Sequence, residues 1–229
     1  MPDFFRLKPY RFRKRMPPRK LFLAAFFFHF NPGTMQAIIL LGTLKTKGLS
    51  NTETLSEFFA AHLKKHEVDC QIIKLVEHNI LPGTYSNMGK DDAWPEILKQ
   101  ILAADILIFA SPIWWNNQSS EIQRVIERLD ELHDEIMAGK KSKLEGKAGG
   151  IIITGDSDGA QHIIANVSNF YNAIGINFPP YATLSVLWEK QAKGENTSRQ
   201  ELMEKYKKDY DKTAETMVNQ LIRAVKTNP

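Results

Sequence analysis

Three runs of consecutive aliphatic residues, QAIILLG (36–42), DILIFAS (105–111) and AGGIIITG (148–155), constrain this chain most. A strand with one wet face alternates apolar and polar residues; these runs do not, so both of their faces must be covered. The segments between them have a different period. Leu55, Phe58, Phe59 and Leu63 recur at helical spacing within 52–66, and Ile122, Val125, Ile126 and Leu129 do so within 119–137. Pro95 suits the first turn of a helix over 95–103, and Gly175 stops one over 160–174. VDCQIIKL (68–75) reads as a further strand, and INFPPYATLSVLW (176–188) as an extended stretch interrupted by two prolines. A long charged helix follows over 196–226.

Strands alternating with helices predict an α/β fold, a parallel sheet with helices on both faces. Five strands fit the flavodoxin-like, doubly wound order 2-1-3-4-5. Ligands of such sheets bind outside the carboxyl ends of the strands, at the switch point. That rule selects the loops at 43–52, 111–118 and 154–160.

The first loop, within LGTLKTKGLSNTETL (41–55), carries Thr43, Lys45, Thr46, Ser50, Asn51 and Thr52. It has neither the spacing of a P-loop nor that of a dinucleotide fingerprint. Hydroxyl, amide and ammonium donors meet there at the start of a helix, whose free N–H groups favour an anion. A terminal phosphate fits; simple capping by Ser50 is the plainer reading. The second loop, SPIWWNNQ (111–118), sets Trp114 and Trp115 beside two asparagines, with one indole expected to pack inward and the other to meet a planar ring. The third, TGDSDGAQH (154–162), has Gly155 and Gly159 for close backbone approach to a ligand. Asp156 and Asp158 face solvent or cap the next helix, and His162 reads as surface or packing.

Composition narrows the function. A chain of 229 residues, 43% hydrophobic and 24% charged, is an ordinary globular chain. Its formal charge of +4 is misleading. Residues 1–34 hold eight Lys/Arg against Asp3, so residues 35–229 are net acidic by three, and no nucleic-acid surface is expected. The single Cys70 rules out an internal disulfide and fits a reducing, cytoplasmic setting. Basic residues followed by LFLAAFFFHF (21–30) have the order of a leader. That run falls short of the ~20 apolar residues of a spanning helix, and no small-x-small site follows. Residues 1–34 are expected to lie outside a domain that opens at Met35, and any membrane contact is expected only there. In the C-terminal helix Leu202, Tyr206, Tyr210, Met217 and Leu221 form a stripe read as packing on the sheet, with homodimer formation its second use.

GTLKTKGLSNTETL, SPIWWNNQSSEIQRVIERL and TGDSDGAQHII, in that order, resemble the flavodoxin-like NADPH-dependent FMN reductase family, which includes NAD(P)H:quinone oxidoreductases. The resemblance covers about 35–188, and the Ser-Pro-Ile-aromatic segment is its most specific part. It implies non-covalent FMN. By position, Thr43, Lys45, Ser50, Asn51 and Thr52 would hold the phosphate, and Pro112, Ile113, Trp114, Trp115 and Asn116 would line the isoalloxazine. Thr154, Gly155, Asp156 and Gly159 would touch its far edge. It further implies NAD(P)H as cosubstrate, hydride transfer at the flavin N5 with no catalytic side chain, and a quinone, flavin or similar small acceptor. A sub-branch holds an iron–sulfur cluster through cysteines in the loop after strand two; that loop has none here, and no metal is expected. Tyr85, Met88 and Tyr181 are the candidates for the acceptor side. An electron-carrying flavodoxin, or a flavin-free interaction or membrane-associated protein of this fold, are the rival readings.

Overall fold

The computed structural model describes residues 33–227. The expectations for the N-terminal 34 residues therefore fall almost wholly outside the described residues. Five strands, β1 (Gln36–Leu41), β2 (Asp69–Lys74), β3 (Ile106–Pro112), β4 (Ala148–Gly155) and β5 (Thr183–Leu187), form one sheet in the order β2-β1-β3-β4-β5. Every pairing is parallel. This is the flavodoxin-like doubly wound arrangement expected from the aliphatic runs.

Helices cover both faces. α2 (Trp94–Ala103), α3 (Ser120–Arg128), α4 (Asp130–Met137) and α5 (Ala160–Ala173) take one side. α1 (Asn51–Lys65) and α6 (Arg199–Lys226) take the other. Leu202, Tyr206, Met217 and Leu221 of α6 are fully buried, as their spacing predicts, so this face of the helix is spent within the chain. α6 is tied to α1 by polar contacts at one-turn spacing: His62 Nε2 to Asp211 at 3.0 Å and His66 Nε2 to Glu215 at 2.6 Å. Among the described residues no helix is long and apolar enough to cross a membrane.

Two expectations need correction. The helix expected over 119–137 breaks at Leu129, because the Glu131 N–H is drawn to Thr84 O (3.2 Å). The extended stretch 176–188 forms a strand over 183–187 and pairs before that by one bridge, Asn177 to Ala148, since Pro179 and Pro180 have no N–H for the ladder.

β4 has a tight point. A Cβ on Gly149 would lie 2.7 Å from the Tyr171 ring and 2.8 Å from Ile176. The ring cannot retreat, since its hydroxyl donates to Leu107 O (3.3 Å) and Gly150 O (3.1 Å). Gly149→Ala is expected to destabilise the fold by about 1–3 kcal/mol, the usual range for overpacking. Urea unfolding measures this, and an unchanged midpoint would refute it.

Candidate functional site

The carboxyl ends of β1, β3 and β4 bring the three loops together. Ser50 is the N-cap of α1, with its Oγ accepting from Glu53 N (3.3 Å), while its hydroxyl donates to Thr43 Oγ1 (2.9 Å). Thr43 Oγ1 also accepts from Lys45 N (3.3 Å). Thr52 and Thr154 meet hydroxyl to hydroxyl at 2.6 Å, joining the first loop to the third. All four hydroxyl residues are buried. Asn51 turns its side-chain amide to Gln191 O (3.1 Å), just beyond β5. Lys45 folds back on its own loop and donates to Leu49 O (2.7 Å). Glu53, which would place a carboxylate at the helix start, pairs with Lys74 (3.0 Å).

The hydrogen count of this corner is informative. Thr43 Oγ1 accepts twice, and among the described residues its own hydrogen finds no acceptor. Only one hydrogen lies between Thr52 and Thr154, so one of these hydroxyls keeps a donor to spare. The N–H groups of Asn51 and Thr52 lie in the first turn of α1 and have no intrahelical acceptor. The corner is rich in donors and poor in acceptors. That chemistry suits the phosphate of a flavin mononucleotide.

The second and third loops are zipped together. Ile113 N donates to Thr154 O (2.9 Å). A Cβ on Gly155 would lie 2.6 Å from Ile113 Cδ1, and one on Gly159 would lie 3.0 Å from Asn116 Cα. Gly159 also adopts φ +110°, open only to glycine without strain. Pro112 and Ile113 are half-buried beside them. Trp114 and Asn117 exchange two backbone hydrogen bonds of 2.9 Å across a tight turn, with Trp115 at φ 48° and Asn116 at φ 62°. Contrary to expectation, neither indole of this turn packs inward: Trp114 is 44% exposed and Trp115 93%. The buried tryptophan is Trp94, on α2. Asp156, Asp158 and His162 face solvent. Tyr181 precedes β5 and so sits at the amino end of the sheet, away from these loops; it is no acceptor-side residue.

Three contributors were not anticipated. Gln191 is 140 residues from Asn51, and no local pattern announces it. The others are Arg128 and Asp92, an ion pair of 2.6 Å with both side chains fully buried. Arg128 also donates to Tyr85 O (2.9 Å) and Leu81 O (2.6 Å), and its guanidinium lies 5.6 Å from the Trp94 ring centre. Asp92 accepts from the N–H groups of Leu81, Met88 and Trp94. Burial by itself would raise the Asp92 carboxyl. Arg128 and the three N–H donors outweigh it and hold the pKa at about 2. Together they fix the loop after β2 that bears Tyr85 and Met88. One signal was present: Arg128 falls on the apolar face of its helix, three residues after Val125. Among the described residues no group of three His, Cys, Asp or Glu is placed to hold a metal ion.

Known proteins resemble this chain in sequence and in fold. The chain is 30% identical over 159 residues to an 8-demethyl-8-aminoriboflavin-5'-phosphate synthase of Streptomyces davaonensis, across 65% of this chain and 62% of that one. It is 33% identical over 153 residues to part of a protein named divalent metal cation transporter MntH of Mycobacterium bovis, across 65% of this chain but 22% of that one. The chain thus spans less than two thirds of either relative. Among solved structures, RosB with bound 8-demethyl-8-formylriboflavin-5'-phosphate superposes with a TM-score of 0.69 at 24% identity, over 84% of this chain and 79% of that one. An apo NADH:FMN oxidoreductase does so with a TM-score of 0.57 at 16% identity, over 86% and 91%. Both likenesses bear on the fold. The sequence profile of the NADPH-dependent FMN reductases matches residues 35–189, and the chain belongs to that family of flavin oxidoreductases, which work with FMN and NAD(P)H.

Proposed function

We propose that this protein takes two electrons from NAD(P)H and passes them, by way of FMN held at the three loops, to a quinone, a flavin or a similar small organic acceptor. The donor surplus at Thr43, Ser50–Thr52 and Thr154 is the observation that carries this reading. Thr43, Ser50, Asn51 and Thr52 hold the phosphate, with Lys45 closing the loop over it. Pro112, Ile113, Trp114 and Asn116 line one side of the ring, and Thr154, Gly155, Asp156 and Gly159 its far edge. When bound, FMN supplies a reversible two-electron relay. The chain's own part is to bind and orient. The zipped second and third loops keep the walls of the site rigid, and backbone N–H groups of the third loop face the ring where negative charge gathers on reduction.

The test is an FMN titration of the full chain with inorganic phosphate as competitor, then NADH or NADPH added without air. Saturable binding at micromolar or tighter affinity, weakened by phosphate, is expected, followed by bleaching of the flavin absorbance. Absence of binding overturns the reading. Binding without bleaching leaves an electron carrier.

In a second reading the flavin 5'-phosphate is the substrate. Its support is the likeness to the Streptomyces synthase. The mass of the flavin recovered after turnover separates the two: an unchanged mass removes the second.

A further inference from the structure

Of the eight large apolar side chains exposed among the described residues, five stand on loops leaving the carboxyl ends of strands, Leu44, Tyr85, Met88, Trp114 and Trp115, and a sixth, Leu187, ends β5. Trp115 is the extreme case. Its backbone is held by the paired Trp114–Asn117 bonds, by Asn117 Nδ2 donating to Trp115 O (3.1 Å), and by Gly159 against Asn116. A tight turn with both central residues at positive φ favours Asn, Asp or Gly at each. Asn116 conforms. Trp115 takes a strained conformation that bulky side chains seldom adopt, and its indole makes no ring contact among the described residues in return. Strain of this kind persists where function holds it. The backbone is fixed and the indole is left free, beside the site assigned to the flavin.

We infer that Trp115 is the stacking platform for the electron acceptor, and that it selects planar aromatic acceptors over compact ionic ones. This rests on the oxidoreductase reading above. The indole face offers π area and no charge, which rewards a flat, fused ring. The charged side chains on the first and third loops, Lys45 and Lys47 against Asp156 and Asp158, are balanced in sign. They set up no field to steer a charged protein partner. For a quinone acceptor the reaction balances as NAD(P)H plus one proton plus quinone giving NAD(P)+ plus hydroquinone. The nicotinamide C–H bond gives up hydride. The two quinone oxygens end with two electrons and two protons more than they began with.

The experiment compares the FMN-loaded full chain with Trp115→Ala and Trp115→Phe, using a naphthoquinone and ferricyanide as acceptors. The ratio of kcat/KM for the naphthoquinone to that for ferricyanide is expected to fall about tenfold in Trp115→Ala, the scale of one lost aromatic stack. The change should sit in KM and recover in Trp115→Phe. Equal losses for both acceptors overturn the inference. So does a matching loss of FMN affinity, which would place the indole against the flavin, or a change in subunit number on gel filtration, which would place it against a second copy. Naphthoquinone binding, read by quenching of tryptophan fluorescence, does not depend on turnover. If the wild type fails to oxidise NAD(P)H, the oxidoreductase reading falls. Weaker quinone binding in Trp115→Ala would still support the platform, and equal binding would end it.

Discussion

Replacing Arg128 by methionine is expected to remove about 3–5 kcal/mol of folding stability, the largest loss anticipated from a single side chain here. Methionine fills much of the same space, so lost packing accounts for little. What remains is Asp92, fully buried beside Arg128 in the native protein and then without its cation. The three carbonyl and carboxylate partners of the guanidinium also lose their donors. Acid titration shows that the effect is electrostatic. The folded pKa of Asp92 lies at about 2, below the ordinary carboxylate value near 3.9. A depressed pKa contributes stability that is fully present above the unfolded value and is lost as pH falls through the folded one. The gap between wild type and Arg128→Met in urea unfolding should therefore narrow from about pH 4 to about pH 2. A gap that stays constant over that range would assign the loss to packing. If Arg128→Met does not fold, Arg128→Lys keeps the charge without the fork, and a smaller loss of the same pH dependence is expected.

The second large effect falls on the cofactor corner. Ser50→Asp should weaken FMN binding roughly 100-fold while leaving folding stability close to wild type. Aspartate caps a helix as well as serine does, so α1 keeps its start. The added carboxylate would face the phosphate proposed for this corner. Two unit charges 4 Å apart repel by about 4 kcal/mol at an effective dielectric of about 20, and relaxation leaves roughly 2–3 kcal/mol, or about 100-fold. Titration with FMN checks the affinity, and urea unfolding checks the cap. An affinity within threefold of wild type would remove the phosphate from this corner.

The sheet could be read from the sequence because parallel strands buried on both faces leave long aliphatic runs, and little else does. The donor corner could be read for a related reason. Ser50 is both a cap and a ligand candidate, and its neighbours lie within one turn. The break at Leu129 could not be read, because a carbonyl 47 residues earlier, Thr84 O, draws Glu131 N away from its helix. Arg128 and Asp92 are 36 residues apart; the place of Arg128 on the apolar face of its helix hints at burial, but nothing local pairs it with Asp92, which in sequence looks like an ordinary surface charge. The tryptophan pair misled in one half, the indole expected to pack inward, for a different reason. Apolar identity predicts burial, but a tight turn at positive φ holds both indoles outward.

The Thr52–Thr154 hydroxyl contact spans 102 residues, and the Asn51–Gln191 contact 140. Closing loops of this length is entropically slow: the first contact waits for β4, which bears Thr154, and the second for the chain past β5. The donor corner is therefore a late product of folding. A ribosome-bound chain that ends before residue 154 has the first loop but not the geometry that makes it a cradle. A cofactor that needs this cradle cannot act as a template for the fold. Such a cofactor is expected to bind only after the sheet has closed around the corner, so its binding should follow folding in time.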